Sequence, residues 1–313
     1  MTIPAASLRS LMTELIDYAG LFPPANLPLE QAIANYARYR QAAEAWMLAH
    51  FIIPVGRLEE LTAEQIEEDD PFTFSVLGRG GSDSESWLTN LQADIATIDA
   101  FLDKHLTRAT ADMLEVRLPT EILREGSAEE LKIMLDQAYD LLDQTPYYEV
   151  PFEEGWAEMV KTAVTGIRMH YGVAGFKLRC GGVTAEQFPS VQQVAYAIKL
   201  CLDNGIALKC TAGLHHPVRH FNETVNTKMH GFLNVFGAGV LAEHFDLSLR
   251  DIEKIIAEED PQQFVFDDDG FRYQNWHIAL EAIETAREDS LISFGSCSFD
   301  EPREDLRMLK LLP

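Results

Sequence analysis

Cysteine is scarce in this chain, and basic side chains are outnumbered two to one by acidic ones. Four cysteines (Cys180, Cys201, Cys210, Cys297) in 313 residues, none in CxxC spacing, argue against a disulfide framework and a structural zinc site. Reduced thiols and a cytoplasmic location are the expectation. Fifty acidic against twenty-five basic residues give a net charge of −25 and a pI near 4.6. That field opposes nucleic acids and anionic membranes as partners, so an anionic ligand would need a local basic pocket. Long hydrophobic runs are missing too: none approaches the ~20 residues of a membrane span, and Glu14 and Asp17 leave no room for a signal-peptide core.

What the chain does have is 47% apolar residues, ample for a large core, and a regular alternation of strand and helix patterns. Strand-like runs lie near residues 15–21, 46–54, 72–77, 113–118, 147–151, 174–179, 206–211 and 291–296. WMLAHFIIPV (Trp46–Val55) is almost unbroken in its apolarity, as strands buried on both faces are. Helical spacing fills the intervals, at Leu29–Ala45, Trp87–His105, Ser127–Leu142, Trp156–His170 and Thr184–Leu202, with Ser127 and Glu130 placed to form a capping box. Eight strands in this rhythm predict an α/β fold, a closed (β/α)8 TIM-type barrel in a single domain over 1–313; an open doubly wound sheet is the alternative.

The rhythm breaks once. Residues 221–290 read as an insertion or lid before the last strand, with helices at Val225–Phe245, Leu249–Glu258 and Trp276–Glu288 and a hairpin at Phe264–Tyr273. It is too long for a simple loop. It leaves from the end of the seventh strand, where barrel active-site loops reside, so it is expected at the mouth, with Asn234 facing the pocket.

The stretch with most chemical content is Ala174–His220. It places one lysine in each of two adjacent strands, Lys177 and Lys209, from a chain with only nine lysines. Side chains alternate along a strand, so Lys177 shares a face with Arg179, and Lys209 with Thr211. A barrel would bring these residues to one mouth with Asp17, Glu115, Arg117 and Ser296. Two ammoniums side by side raise each other's charging cost, and a lysine with a depressed pKa is the nucleophile that imine chemistry with a carbonyl requires. The competing reading pairs each lysine with a barrel carboxylate such as Glu115 or Glu149 in a purely structural ion pair.

Other signals are weaker. Gly78–Asp83 (GRGGSD) lacks the phosphate-loop lysine and reads as a turn, and Asp267–Gly270 lacks the alternate ligands of a calcium loop and reads as a hairpin turn. The run GLHHPVRH supplies His215, His216 and Arg219 to a loop that could seat the polar groups of a substrate, with Arg219 pairing an anion. Together with His230, the same histidines raise the alternative of a metal-dependent hydrolase. A third class is a non-catalytic small-molecule-binding barrel.

IDYAGLFPP at the first strand, the acid in LEVRL, FKLRCGGVTAE, ALKCTAGL and FGSCSF, in that order, resemble the strand motifs of deoxyribose-phosphate aldolase and related class I aldolases. The resemblance covers five short islands. It implies a Schiff-base lyase without a cofactor, acting on a small aldehyde or ketone, with Lys177 as the nucleophile and Lys209 as the neighbour that lowers its pKa. It implies that Glu115 occupies the place of the acid that is an aspartate in that family. It also implies that Gly181, Gly182, Gly213, Gly295 and Ser296 form turns able to receive a phosphate. Arg179 and Cys180 depart from the family's small hydroxyl residues, which leaves the substrate open, as is assembly into a homo-oligomer.

Overall fold

In the computed structural model, residues 3–66 and 70–313 are described. The acidic stretch Leu58–Asp70 enters a short 3-10 helix, Val55–Glu60, and residues 67–69 of it lie outside the described residues.

Among the described residues thirteen strands form, eight of them in one closed parallel barrel: β1 (Ile16–Tyr18), β2 (Leu48–Pro54), β3 (Phe72–Leu77), β4 (Ala109–Arg117), β5 (Thr145–Glu149), β6 (Gly175–Arg179), β7 (Leu208–Thr211) and β13 (Leu291–Ser296). Each pairs with its neighbour in chain order, and β13 closes the ring between β7 and β1. Every expected strand is present, and the open-sheet alternative falls with the closure. The register sets Lys177 opposite Lys209, Glu149 opposite Lys177 and Asp17 opposite Gly295. Residues two apart therefore stack inward in layers, while their neighbours turn outward to the helices.

The outward face is aromatic and aliphatic. Phe51, Phe72 and Phe74 pack with Tyr36 and Phe101 of the surrounding helices, and Phe294 stacks on Phe232 with ring centroids 5.3 Å apart. Helix caps behave as the sequence suggests: Ser127 and Glu130 form the reciprocal capping box of the helix Ala128–Tyr139. Pro189 splits the expected helix Thr184–Leu202 into a 3-10 turn, Ala185–Gln187, and a helix, Val191–Asp203, newly capped by Ser190.

The excursion 221–290 divides its role. Its first part completes the hairpin of β8 (His220–Asn222) and β9 (Thr227–Met229), which shortens the expected helix to Phe232–Phe245. That helix is buried around nearly its whole circumference, between β13 on one side and the helices Leu249–Ala257 and Leu280–Asp289 on the other. It takes the place of the barrel's seventh outer helix. The expected hairpin forms as β10 (Phe264–Phe266) and β11 (Gly270–Tyr273) and gains a third strand, β12 (Trp276–Ala279). β12 claims what read as the first turn of the last excursion helix. The Asp267 carboxylate accepts from the backbone amides of Asp269 and Gly270, as a turn does. That turn is bonded to the helix that precedes β1, through Ser7 N–H to Asp267 O at 3.2 Å, which holds it away from the mouth. Among the described residues no helix is long and apolar enough to cross a membrane.

Because Phe232 and Phe236 bridge the excursion to β13, Phe232→Ala should cost about 3–5 kcal/mol of stability, the range for deleting a buried aromatic ring. The midpoint of a urea unfolding curve at unchanged slope measures it; a change under about 1 kcal/mol would show that the helix is not part of the same cooperative core.

Candidate active site

Barrel interiors are usually filled with branched aliphatic side chains. Here the middle layers are ionic. Lys177, on β6, is 3% exposed, and its Nζ lies 2.9 Å from Glu115 Oε2 and 2.8 Å from Glu149 Oε2. Lys209, on β7, has no exposed surface; its Nζ is paired with Asp17, lies 3.3 Å from Glu115 Oε1 and donates to the Ser293 hydroxyl at 3.0 Å. Glu115 thus bridges the two lysines, with the Ser75 hydroxyl donating to it at 2.6 Å. The chain of charges continues beneath. Asp17 accepts from the backbone N–H of His50 and meets its Nδ1 at 2.9 Å, and His50 Nε2 lies 3.1 Å from Asp112 at the lower opening.

Both lysines therefore lie inward on adjacent strands, but the expected electrostatics do not hold. Burial alone would lower the pKa of Lys177, yet Glu115 and Glu149 outweigh it and hold the group above its ordinary value. Lys209 is likewise raised, burial being overcome by Asp17 and Glu115. Lys209 does not depress its neighbour, because its charge is already answered by two carboxylates. Burial would raise Glu115; the two ammoniums and Ser75 bring it down to about 2 instead. His50 is pushed up to about 9: burial favours its neutral form, but the bonds to Asp112 and Asp17 and the charge of Asp17 prevail. Protonated, His50 brings the interior to balance, with three cations against Asp17, Glu115 and Glu149.

Above this floor opens a pocket of about 360 Å³, lined by Lys177, Glu115 and Glu149 at its base and by Arg117, Arg179, Thr211 and His215 on its walls. Gly182, Gly213 and Gly295 also line it. Gly213, at φ +71°, follows Ala212 at φ +56°, so the chain leaves β7 through two left-handed residues that turn it over the mouth. Arg117 is tied to Glu153 at 3.0 Å, and the half-exposed Arg179 lies 4.0 Å from Glu149.

Several expected site residues do not reach this pocket. Asp17 and Lys209 lie below it. Gly181 is packed against Gly213 and Phe188, and a Cβ there would come within 2.5 Å of the ring. Ser296 shares the outward parity of Phe294 and donates to Ser298 O. Asn234 is fully buried in the excursion, where it accepts from the Arg219 backbone and donates to Ile255 O and Glu258 O. The histidines disperse as well. His216 pairs with Asp305 at 2.5 Å, Arg219 lies 3.6 Å from Glu259, and His230, 2.7 Å from Pro189 O, is pushed down to about 4 by burial. Among the described residues His215, His216 and His230 do not gather as one ligand set; His215 groups with Cys297 and Glu301 instead.

His50, Ser75, Ser293, Cys297 and Glu301 stand in or beside the site although none is among the site residues expected from the sequence. Parity could have found the first three, since His50 alternates with Ile52, Ser75 with Leu77 and Ser293 with Gly295 on the inward faces, and Ile52, Leu77 and Gly295 all line the pocket. Glu149, expected only as a structural partner of a lysine, lines the pocket.

No family model matches the chain, and no curated protein matches it. Among solved structures, it is similar to a candidate deoxyribose-phosphate aldolase from Toxoplasma gondii ME49, at 9% identity over 97% of this chain and 96% of that one, with a TM-score of 0.53. The chain shares the (β/α)8 barrel fold of that structure. A second structure, titled QR15, an Aldolase, aligns over 64% of this chain and 80% of its own with a TM-score of 0.44 and 11% identity. Similarity at these identities is one of fold.

The core charges make stability depend on pH in a defined way. Glu115, held at about 2 against an ordinary 4.5, contributes fully above pH 4.5, and that contribution is lost as pH falls through 2. His50, raised from 6.5 to about 9, contributes fully below pH 6.5 and loses its contribution as pH rises through 9. Thermal unfolding midpoints across pH should show a plateau between these limits. In His50→Asn the alkaline decline from this group should vanish; an unchanged alkaline limb would mean that His50 is not charged in the folded protein.

Proposed function

We propose that the protein is a Schiff-base-forming lyase of the class I aldolase type, acting on a small aldehyde or ketone through Lys177. The observation that carries this reading is Lys177 itself, a nearly buried amine on the floor of an open pocket with a carboxylate on either side. An ion pair serving stability alone has no need of a 360 Å³ void above it.

The ammonium must first lose a proton, because at pH 7 fewer than about one in 10³ lysines of ordinary pKa is neutral. Glu149, at 2.8 Å and on the pocket side, is the acceptor with access to solvent, while Glu115 stays charged between the two lysines. The freed amine adds to the carbonyl carbon, and loss of water from the carbinolamine leaves an iminium. In the cleavage direction the β-hydroxyl gives its proton to a carboxylate. The Cα–Cβ bond breaks, and its electron pair moves into the iminium to give an enamine and release a carbonyl product. Protonation of the enamine and hydrolysis of the resulting iminium by water restore Lys177. Lys209 acts at a distance from substrate by sharing the charge of Glu115, so that this carboxylate does not bind the Lys177 proton alone. Arg117, Arg179 and the turns at Gly182, Gly213 and Gly295 seat the polar end of the substrate.

Borohydride reduction in the presence of a panel of small aldehydes and ketones, followed by intact mass and peptide mapping, tests the assignment. A single adduct on Lys177 is expected, absent in Lys177→Met. In Glu149→Gln the loss of one flanking anion should move the pH midpoint of trapping down by about one unit or more. Equal labelling of wild type and Lys177→Met overturns the assignment, and no labelling with any carbonyl leaves a barrel that binds its ligand without imine chemistry.

A further inference from the structure

One wall of the pocket holds a second group of reactive side chains that imine formation at Lys177 leaves unused. His215 stands in the turn after β7, Cys297 directly follows β13, and Glu301 lies in the first turn of the helix Asp300–Met308. β7 and β13 are neighbours in the barrel, with Thr211 opposite Gly295, so the first two side chains are delivered side by side by the ends of paired strands. His215 Nδ1 is 3.7 Å from Cys297 Sγ and 3.3 Å from Glu301 Oε2, and the three donor atoms all lie within 4.8 Å of one another.

The two separations from His215 Nδ1 are those of ligands sharing one small cation. With zinc bonds of ~2.3 Å to sulfur and ~2.0–2.1 Å to nitrogen or oxygen, tetrahedral angles set sulfur and nitrogen roughly 3.6 Å apart, and nitrogen and oxygen roughly 3.4 Å apart. We infer that His215 Nδ1, Cys297 Sγ and the Glu301 carboxylate bind a divalent cation of the zinc class. A thiolate beside an imidazole disfavours magnesium and calcium, which take oxygen ligands, and the two negative charges of thiolate and carboxylate offset the charge of the ion. Cys297 loses its proton on binding, and Nδ1 must be free of one. His215 and Cys297 both line the pocket, so the fourth tetrahedral position opens into it, available to water or to an oxygen of the bound molecule. Cys297 and the His215 side chain are largely buried and held by the barrel, whereas Glu301 is half-exposed and closes the site from the rim at little cost.

Zinc alone is the probe. Protein stripped with a chelator and titrated with zinc chloride against a chromophoric competitor should take up one equivalent. Cobalt(II) in its place should show the near-ultraviolet thiolate charge-transfer band and the strong visible bands of a tetrahedral ion. Cys297→Ser should abolish the thiolate band, and His215→Gln and Glu301→Gln should each weaken zinc binding by more than the roughly 10–100-fold typical of supporting residues around a metal. Zinc should raise the thermal midpoint of wild type and not of Cys297→Ser. Lys177→Met should bind zinc as wild type does, which separates this site from the imine reading. Should Cys297→Ser fold poorly, Glu301→Gln, on the rim, carries the test. Cys180, Cys201 and Cys210 remain in every variant, so a cobalt thiolate band that survives Cys297→Ser, zinc affinity equal across the variants, or only millimolar binding by wild type overturns the inference.

Discussion

The interior of this barrel depends on one carboxylate standing between two ammoniums. Glu115 reaches Lys177 with one oxygen and Lys209 with the other, so that each buried ammonium is answered by two carboxylates, one of them shared. Asp17 and Glu149 complete the pairing from below and above, and His50 supplies the cation that brings the set to neutrality. Such a network is no gain in stability over a well-packed aliphatic core of the same volume. It stands at the base of an open pocket, which is the position the proposed chemistry uses.

The same bridge changes how lysine reactivity must arise. Proximity of two cations depresses a pKa only when their charges are unanswered. In this protein three carboxylates stand in the interior and hold Lys177 as an ammonium, so the imine chemistry proposed for it requires a proton to leave through a neighbour. Glu149 is placed for this because it is the least buried of the three carboxylates and pairs in register with Arg117 of the pocket wall. The barrel thus separates its charges by depth: Asp17 and Lys209 lie beneath, and Glu149 and Lys177 face the pocket.

The excursion before β13 shows how the architecture is kept while the chain departs from simple alternation. Its helix Phe232–Phe245 carries the apolar surface that a seventh outer helix must present to the barrel, and Gly239 admits Leu291 against its backbone. Apolar all round, it gives no amphipathic stripe, as a helix buried between the barrel and further helices should not. The segment's polar residues are consumed in holding it together, Asn234 by tying Arg219 to the end of the helix Leu249–Ala257.

Strand existence, strand parity and the eightfold count were legible in the sequence, because alternation along a strand is local and because strands buried on both faces announce themselves as short apolar runs. From parity alone Lys177, Lys209, Glu115, Arg179 and Thr211 could be placed on inward faces, and the structure places them there. Parity with Phe294 also places Ser296 on the outward face, against the expectation that it reaches the mouth, whereas Asn234 lies on a helix with no polar stripe to orient it. What only the tertiary structure decided is who answers each charge. Asp17 and Lys209 are 192 residues apart, and Asp17 and Ser293 are 276 apart, so their pairing is set by closure of the ring and its register. A pKa is the sum of such long-range neighbours and of burial, which is why the sequence could identify the lysines but not the state in which the folded protein holds them.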